Sequence, residues 1–282
     1  WIRNDERVTA ALQAIGQRSP RQLAGARRWL HFALQPIAAH GFSTVTATDD
    51  YRHTAGHWVR ERRAIVGEAS SSTPSFRAGL ELATGALVLI DARDEVRERH
   101  VPTGGTLDDA YRWYDDAATR LRGGAQAVVR PGHQLPGDPL GAGARFGALD
   151  VASAEELAAW FELADAALDC VAAHVPGAST RRVWPHHFDL ATLVDLGEGR
   201  SIGIGLSPGD DSYDEPYFYA TPWPYPAADV ALARLPDGAH WHREGWTGAV
   251  LVGSALIAGD RAALLDAWLR SSYATLRTLL AR

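Results

Sequence analysis

The sequence predicts an α+β fold, mostly antiparallel sheet with flanking helices, on three observations. Helical apolar spacing opens and closes the chain, short alternating or compact apolar runs lie between, and each half reads as helix, several strands, helix. Residues 4–16 and 21–40 carry helical spacing. The second stretch sets Leu23, Trp29, Leu30, Leu34 and Ile37 on one side and has Pro20 at its start, while Pro36 is expected to kink or end it. Residues 41–63 read as a polar loop leading into a strand. Residues 76–82 alternate and 86–90 form an apolar run ended by Asp91, so Thr84-Gly85 marks a hairpin turn. Thr106 begins a helix with Asp108 and Asp109 at the positive end of its dipole, and Gly123-Gly124 stops it.

The Gly/Pro-rich residues 130–149 divide 1–130 from 150–282, either as a boundary or as a crossover within one continuous domain. Ser153 with Glu156 forms a capping box for a helix over 154–173, and Pro176-Gly177 ends it. Strands are expected at 182–193, 201–206, 216–221 and 248–257. Asp260 caps a last helix over 261–280, with Leu264, Leu265, Trp268, Leu269, Leu276 and Leu279 on its apolar side.

Composition removes whole classes of chemistry. The 282 residues, 46% hydrophobic and 22% charged, describe a chain that folds without a partner. All 28 basic residues are Arg, so a phosphate-binding P-loop lysine and a pyridoxal phosphate Schiff base are excluded. The lone Cys170 excludes an intrachain disulfide, a Cys-ligated zinc and a protein-held iron–sulfur cluster. Any metal sits on His, Asp and Glu. No run approaches the ~18 apolar residues that would span a bilayer, and the absence of a leader and of disulfides fits a cytoplasmic protein. With no Met even at position 1, residues are expected upstream of Trp1. The formal net charge of −6 argues against a nucleic-acid partner. Arg in place of Lys, with abundant Ala and Gly, suits a GC-rich bacterial genome.

Four of the 11 histidines and four of the 10 tryptophans lie between Trp184 and Trp246. If W-P-H-H-F-D-L is extended, Trp184, His186, Phe188 and Leu190 share one face and His187 with Asp189 the other. In H-W-H, His240 and His242 point together. His187, Asp189, His240 and His242 are therefore the candidate ligands for Zn, Fe, Mn or Ni, against the plain alternative that each imidazole binds a neighbouring carbonyl. Asp210, Asp211, Asp214 and Glu215 form an acidic turn in which Asp210 or Glu215 is the candidate general base. Tyr217, Tyr219 and Trp223, with His53 from the polar cluster Asp49, Asp50, His53 and His57, are candidate substrate contacts. Gly205-Leu206-Ser207-Pro208-Gly209 matches a serine-hydrolase string, but Pro208 lacks the N–H of the oxyanion hole and no helix follows. Gly203 and Gly205 likewise make no NAD fingerprint. Cys170 reads as a small buried hydrophobe.

At W-P-H-H-F-D-L-A-T-L, S-P-G-D-D-S-Y-D-E-P-Y-F-Y and W-H-R-E-G-W, the chain resembles a bacterial family of uncharacterised proteins, a domain of unknown function. The resemblance spans most of the length. It implies that Asp49, Asp50, His53, His186, His187, Asp189, Ser207, Pro208, Gly209, Asp210, Asp211, Glu215 and Tyr217 recur together, and it assigns none of them a role. The residues themselves suggest a metal-assisted, hydrolase-like enzyme acting on a small polar substrate. A non-catalytic small-molecule binding protein and a structural or interaction module are the alternatives.

Overall fold

A computed structural model describes residues 1–281. In chain order, α1 is Glu6–Ala14, α2 Ala24–Ala33 and α3 Gln35–Thr44, followed by β1 Gly56–Val59, β2 Ala64–Gly67, β3 Phe76–Glu81, β4 Ala86–Asp91 and β5 Val96–His100. Then come α4 Leu107–Arg122, α5 Val151–His174, β6 Arg182–Trp184, β7 Asp189–Gly197, β8 Arg200–Ser207, β9 Tyr217–Trp223, β10 Ala239–His242, β11 Gly248–Val252, α6 Gly253–Ala258 and α7 Arg261–Leu280. The fold is α+β, and its strand pairs are antiparallel.

Local chemistry sets most boundaries. Asp5 caps α1 through Val8 N–H, and Asp260 caps α7 through Ala263 N–H. Thr106 and Asp109 exchange bonds in a capping box at α4, and Gly123 ends that helix at φ 72°.

Four expectations are corrected. The break expected at Pro36 falls at Leu34, and Pro36 sits in the first turn of α3, where its missing N–H costs nothing. Asp150, not Ser153, caps α5: its carboxylate accepts from the Ser153 amide and hydroxyl, so the helix starts three residues early. The strand expected over 182–193 breaks after Trp184, whose carbonyl accepts from His187 N (3.2 Å) and Phe188 N (2.7 Å). The apolar run at 248–257 switches from β11 to α6 at Gly253, where a Cβ would lie 2.9 Å from Pro216 O.

The chain divides into two compact units. The first comprises Trp1–Gln22, Ala159–Arg181 and Asp189–Arg282, the second Leu23–Ala158 and Arg182–Phe188. The Gly/Pro-rich residues 130–149 thus lie inside the second unit. Strands of the first unit run in the order β10-β11-β9-β8-β7, with α7 against β8, β9 and β11. Arg7 of α1 and Arg181 both bind Asp165 of α5, at 2.8 Å each. Cys170 is buried, which pushes its thiol up to about 11.

In the second unit the order is β6-β1-β2-β3-β4-β5, and Ala64, Val66, Val88 and Ile90 form a dry cluster on the sheet. Helix α3 lies against β2, β3 and α4. Gly41 lets α3 also approach the short turn at Arg52–Thr54, since a Cβ there would fall 2.2 Å from His53 O. His40 of α3 is fully buried. It donates from Nε2 to Glu68 O and accepts at Nδ1 from the Tyr114 hydroxyl, both at 2.9 Å, so the ring is neutral and satisfied.

Burial drops the His40 pKa to about 4, against about 6.5 in the unfolded chain. Between those values the unfolded chain takes a proton that the folded one refuses, so stability falls as pH drops through that window, by ~1.4 kcal/mol per unit at most. Urea midpoints measured at pH 7 and pH 5 are expected to show this loss, and His40→Gln to shrink it.

Candidate functional site

Alternation in the first unit separates core from chemistry. Along β9, Phe218, Ala220 and Pro222 point one way, and the Phe218 ring meets Trp268 of α7 at 6.0 Å. Tyr217, Tyr219 and Thr221 point the other way. The ladders carry that second face across the sheet, with Gly205 opposite Tyr219, Ser207 opposite Tyr217, Ala191 opposite Gly205 and Val250 opposite Tyr219. His240 pairs with Val250 and His242 with Gly248, as the two-residue spacing predicts. Asp189, Ser207, Tyr217, Tyr219, His240 and His242 therefore share the face away from α7. Gly205 makes room on it, since a Cβ would lie 2.7 Å from the Tyr219 hydroxyl.

Three tyrosines organise this face. Tyr219 donates to Asp189 Oδ2. Tyr217 donates to Asp210 Oδ2 at 2.5 Å, while Asp210 Oδ1 accepts from the amides of Ser212 (2.8 Å) and Tyr213 (3.1 Å) in a local turn. Burial, then the facing carboxylate, pushes each of these two phenols well above the usual tyrosine range, so both remain proton donors to their carboxylates. The Tyr213 hydroxyl lies 2.8 Å from both His240 Nε2 and His242 Nδ1.

The proton positions in that last group follow from one carbonyl. His242 Nε2 lies 2.6 Å from Glu244 O, an oxygen that only accepts, so Nε2 carries the hydrogen. In the neutral ring Nδ1 is then an acceptor and takes the Tyr213 proton. Tyr213 in turn accepts from His240 Nε2–H. The result is a directed chain, His240 to Tyr213 to His242 to Glu244 O, and Nδ1 of the exposed His240 ring meets no donor among the described residues. The His242 ring stacks on Trp246 at 4.1 Å, which Gly248 permits because a Cβ there would meet Trp246 at 2.6 Å. Burial, then the neighbouring His242, lowers the His240 pKa below its ordinary value.

The remaining candidates sit elsewhere. Glu215 is buried and accepts from Ser254 N (2.6 Å) and Ser254 Oγ (3.0 Å) at the start of α6, with Arg21 Nε at 3.4 Å. Trp223 is 58% exposed at the end of β9, beside Tyr225. In the second unit, His53 is buried and closes its own loop by accepting from Thr48 N at 3.1 Å. His187 belongs to the turn after β6 in that unit.

Of the expected metal ligands, Asp189 accepts from the Tyr219 hydroxyl, His240 and His242 both meet the Tyr213 hydroxyl, and His187 lies in the other unit. Among the described residues no group of three or more His, Cys, Asp or Glu side chains is arranged to hold a metal ion. No described helix is long and apolar enough to cross a membrane. No protein-family model, curated protein or solved structure matches the chain.

Sequence reasoning passed over Tyr213, the hub of the chain, and gave Gly205 no part in making room for Tyr219. The signal for Tyr213 lies in S-Y-D-E-P-Y-F-Y, where three tyrosines interleave with carboxylates over a turn and strand.

Two results are expected. Long-range ¹H–¹⁵N spectra of neutral His240 and His242 show the Nε2–H tautomer for both rings, and an Nδ1–H signal on His242 contradicts the assignment. Gly205→Ala forces Tyr219 or the Leu190 carbonyl to move and lowers stability by about 1–3 kcal/mol in urea unfolding.

Proposed function

We propose that the Tyr213–His240–His242 face binds a small polar molecule without a metal ion and accepts a proton from it at His240. The observation that carries this reading is the directed hydrogen-bond chain, which leaves one imidazole lone pair open at an exposed strand edge. A ligand O–H or N–H donating to His240 Nδ1 makes that ring cationic. Shifting the Nε2 proton to Tyr213, and the Tyr213 proton to His242 Nδ1, moves the charge inward without net change in the phenol. His242 suits that charge, because its Nε2–H already donates to Glu244 O and its ring lies on Trp246. The exposed His240 edge is where the ligand enters, and Tyr217 and Tyr219, tied to Asp210 and Asp189, form the fixed part of the face. Asp210 and Glu215 serve as turn and helix caps in this reading rather than as the base.

Thermal-shift screening tests it with a panel of small protic metabolites and a separate panel of Zn²⁺, Mn²⁺, Ni²⁺ and Fe²⁺ on tag-free protein. A ligand at 100-fold its Kd adds about 2.7 kcal/mol, a shift of several degrees. The expected outcome is stabilisation by a metabolite, lost in His240→Ala and weakened in Tyr213→Phe, with no response to the metals. Stoichiometric metal lost in His240→Ala overturns it.

A further inference from the structure

The second unit holds a separate group of imidazoles that this reading does not use. After β6, the turn at Trp184–Phe188 closes onto the Trp184 carbonyl, and Phe188 adopts φ 58°. That bend, which sequence alternation did not foresee, places His186 and His187 side by side with ring centroids 4.2 Å apart. His133, from the irregular residues 130–149, lies 5.7 Å from His186. One amide holds the arrangement. Gln35 accepts from His133 Nε2–H at 2.9 Å and donates to both His31 O and Pro185 O at 2.9 Å, and His31 Nε2–H donates to the same Pro185 carbonyl.

The outer nitrogens are open. Neither the His186 nor the His187 ring makes a hydrogen bond among the described residues, and His133 keeps Nδ1 unused. Beyond burial, His133 responds to His187, His186 to His187, His133 and His31, and His31 to Arg27, His133 and His187, each neighbour disfavouring the charged ring. The acids nearest in the chain are committed elsewhere: Asp138 pairs with Arg28 at 3.3 Å, and Asp189, two residues beyond His187, holds the Tyr219 phenol.

We infer that His133, His186 and His187 form a binding site for a small oxyanion, the sulfate-, phosphate- or carboxylate-type group of a metabolite. Imidazoles grouped side by side become N–H donors at both nitrogens when protonated, and an anion supplies the negative partner that stabilises that state. A metal is the poorer occupant, because among the described residues no group of three or more His, Cys, Asp or Glu side chains is arranged to hold one. Two of the rings resist protonation: burial and then neighbouring imidazoles hold His186 down to about 4, and burial and then His187 lower His133. An anion reverses that repulsion, so binding takes up protons.

Sulfate is the probe, because it stays a dianion across the range used and any pH dependence belongs to the protein. Histidine Cε1–Hε1 spectra are followed during sulfate titration at pH 7 and pH 6, with sodium chloride at matched ionic strength and with acetate as a planar comparison. The expected result is a saturable movement of the His133, His186 and His187 signals with sulfate or acetate and none with chloride. Affinity tightens about tenfold from pH 7 to pH 6 for one proton taken up, and the response is lost in His186→Gln/His187→Gln. No saturable movement, an equal response to chloride, the same response in the double variant, or saturation by Zn²⁺ in place of the anions overturns the inference. If the double variant unfolds, the chloride comparison on the unaltered protein decides alone. The His240 and His242 signals report the other face in the same spectra, so either reading can fail without the other.

Discussion

The antiparallel ladder between β8 and β9 is the constraint on which the first unit depends. With Leu206 opposite Phe218 and Gly205 opposite Tyr219, apolar side chains go to α7 and hydroxyls to the other face. A slip of one residue would send Tyr217 and Tyr219 into the helix contact and Phe218 to the polar side. Trp268 of α7 meets the Phe218 ring, whereas Asp189 and Asp210 receive the two phenols on the face they occupy. The register that buries the core is thus the register that assembles the phenol–carboxylate pairs.

The polar groups of this face are organised by acceptors that cannot donate. The Glu244 carbonyl fixes the His242 tautomer, and carboxylates fix the direction of the Tyr217 and Tyr219 hydroxyls. The Pro185 carbonyl does the same in the second unit, receiving both His31 and Gln35. In each unit a histidine pair separated by one residue or none stands beside such a group. Their surroundings differ: one pair answers to a phenol, the other to further imidazoles.

Elements whose signals are local were legible in the sequence. The β3–β4 hairpin around Gly85, the capping box at Thr106, the stop at Gly123 and the H-W-H pair in β10 all depend on residues within a few positions of one another. The W-P-H-H-F segment misled because alternation describes a strand only while the strand continues, and this one ends at Trp184 in a turn that closes with Phe188 in the left-handed region. Ser153 misled because Asp150 stands three residues before it with a better acceptor. The site was half legible. His240, His242, Tyr217, Tyr219 and Asp189 were named from their types and spacing, yet their partners were not, since Tyr213 meets histidines 27 and 29 residues away and Gln35 meets His133 98 residues away. No window along the chain contains those pairings.

Glu215 gives the polar face its mechanical character. Two residues after Tyr213, its carboxylate grips the first turn of α6, and α6 continues directly from the end of β11. The 208–216 loop is consequently clamped at its exit to the strand that pairs with β10, which carries both histidines. Phenol and imidazoles are thus referred to one rigid frame, and a tilt of α6 would be felt as a change in the spacing between them.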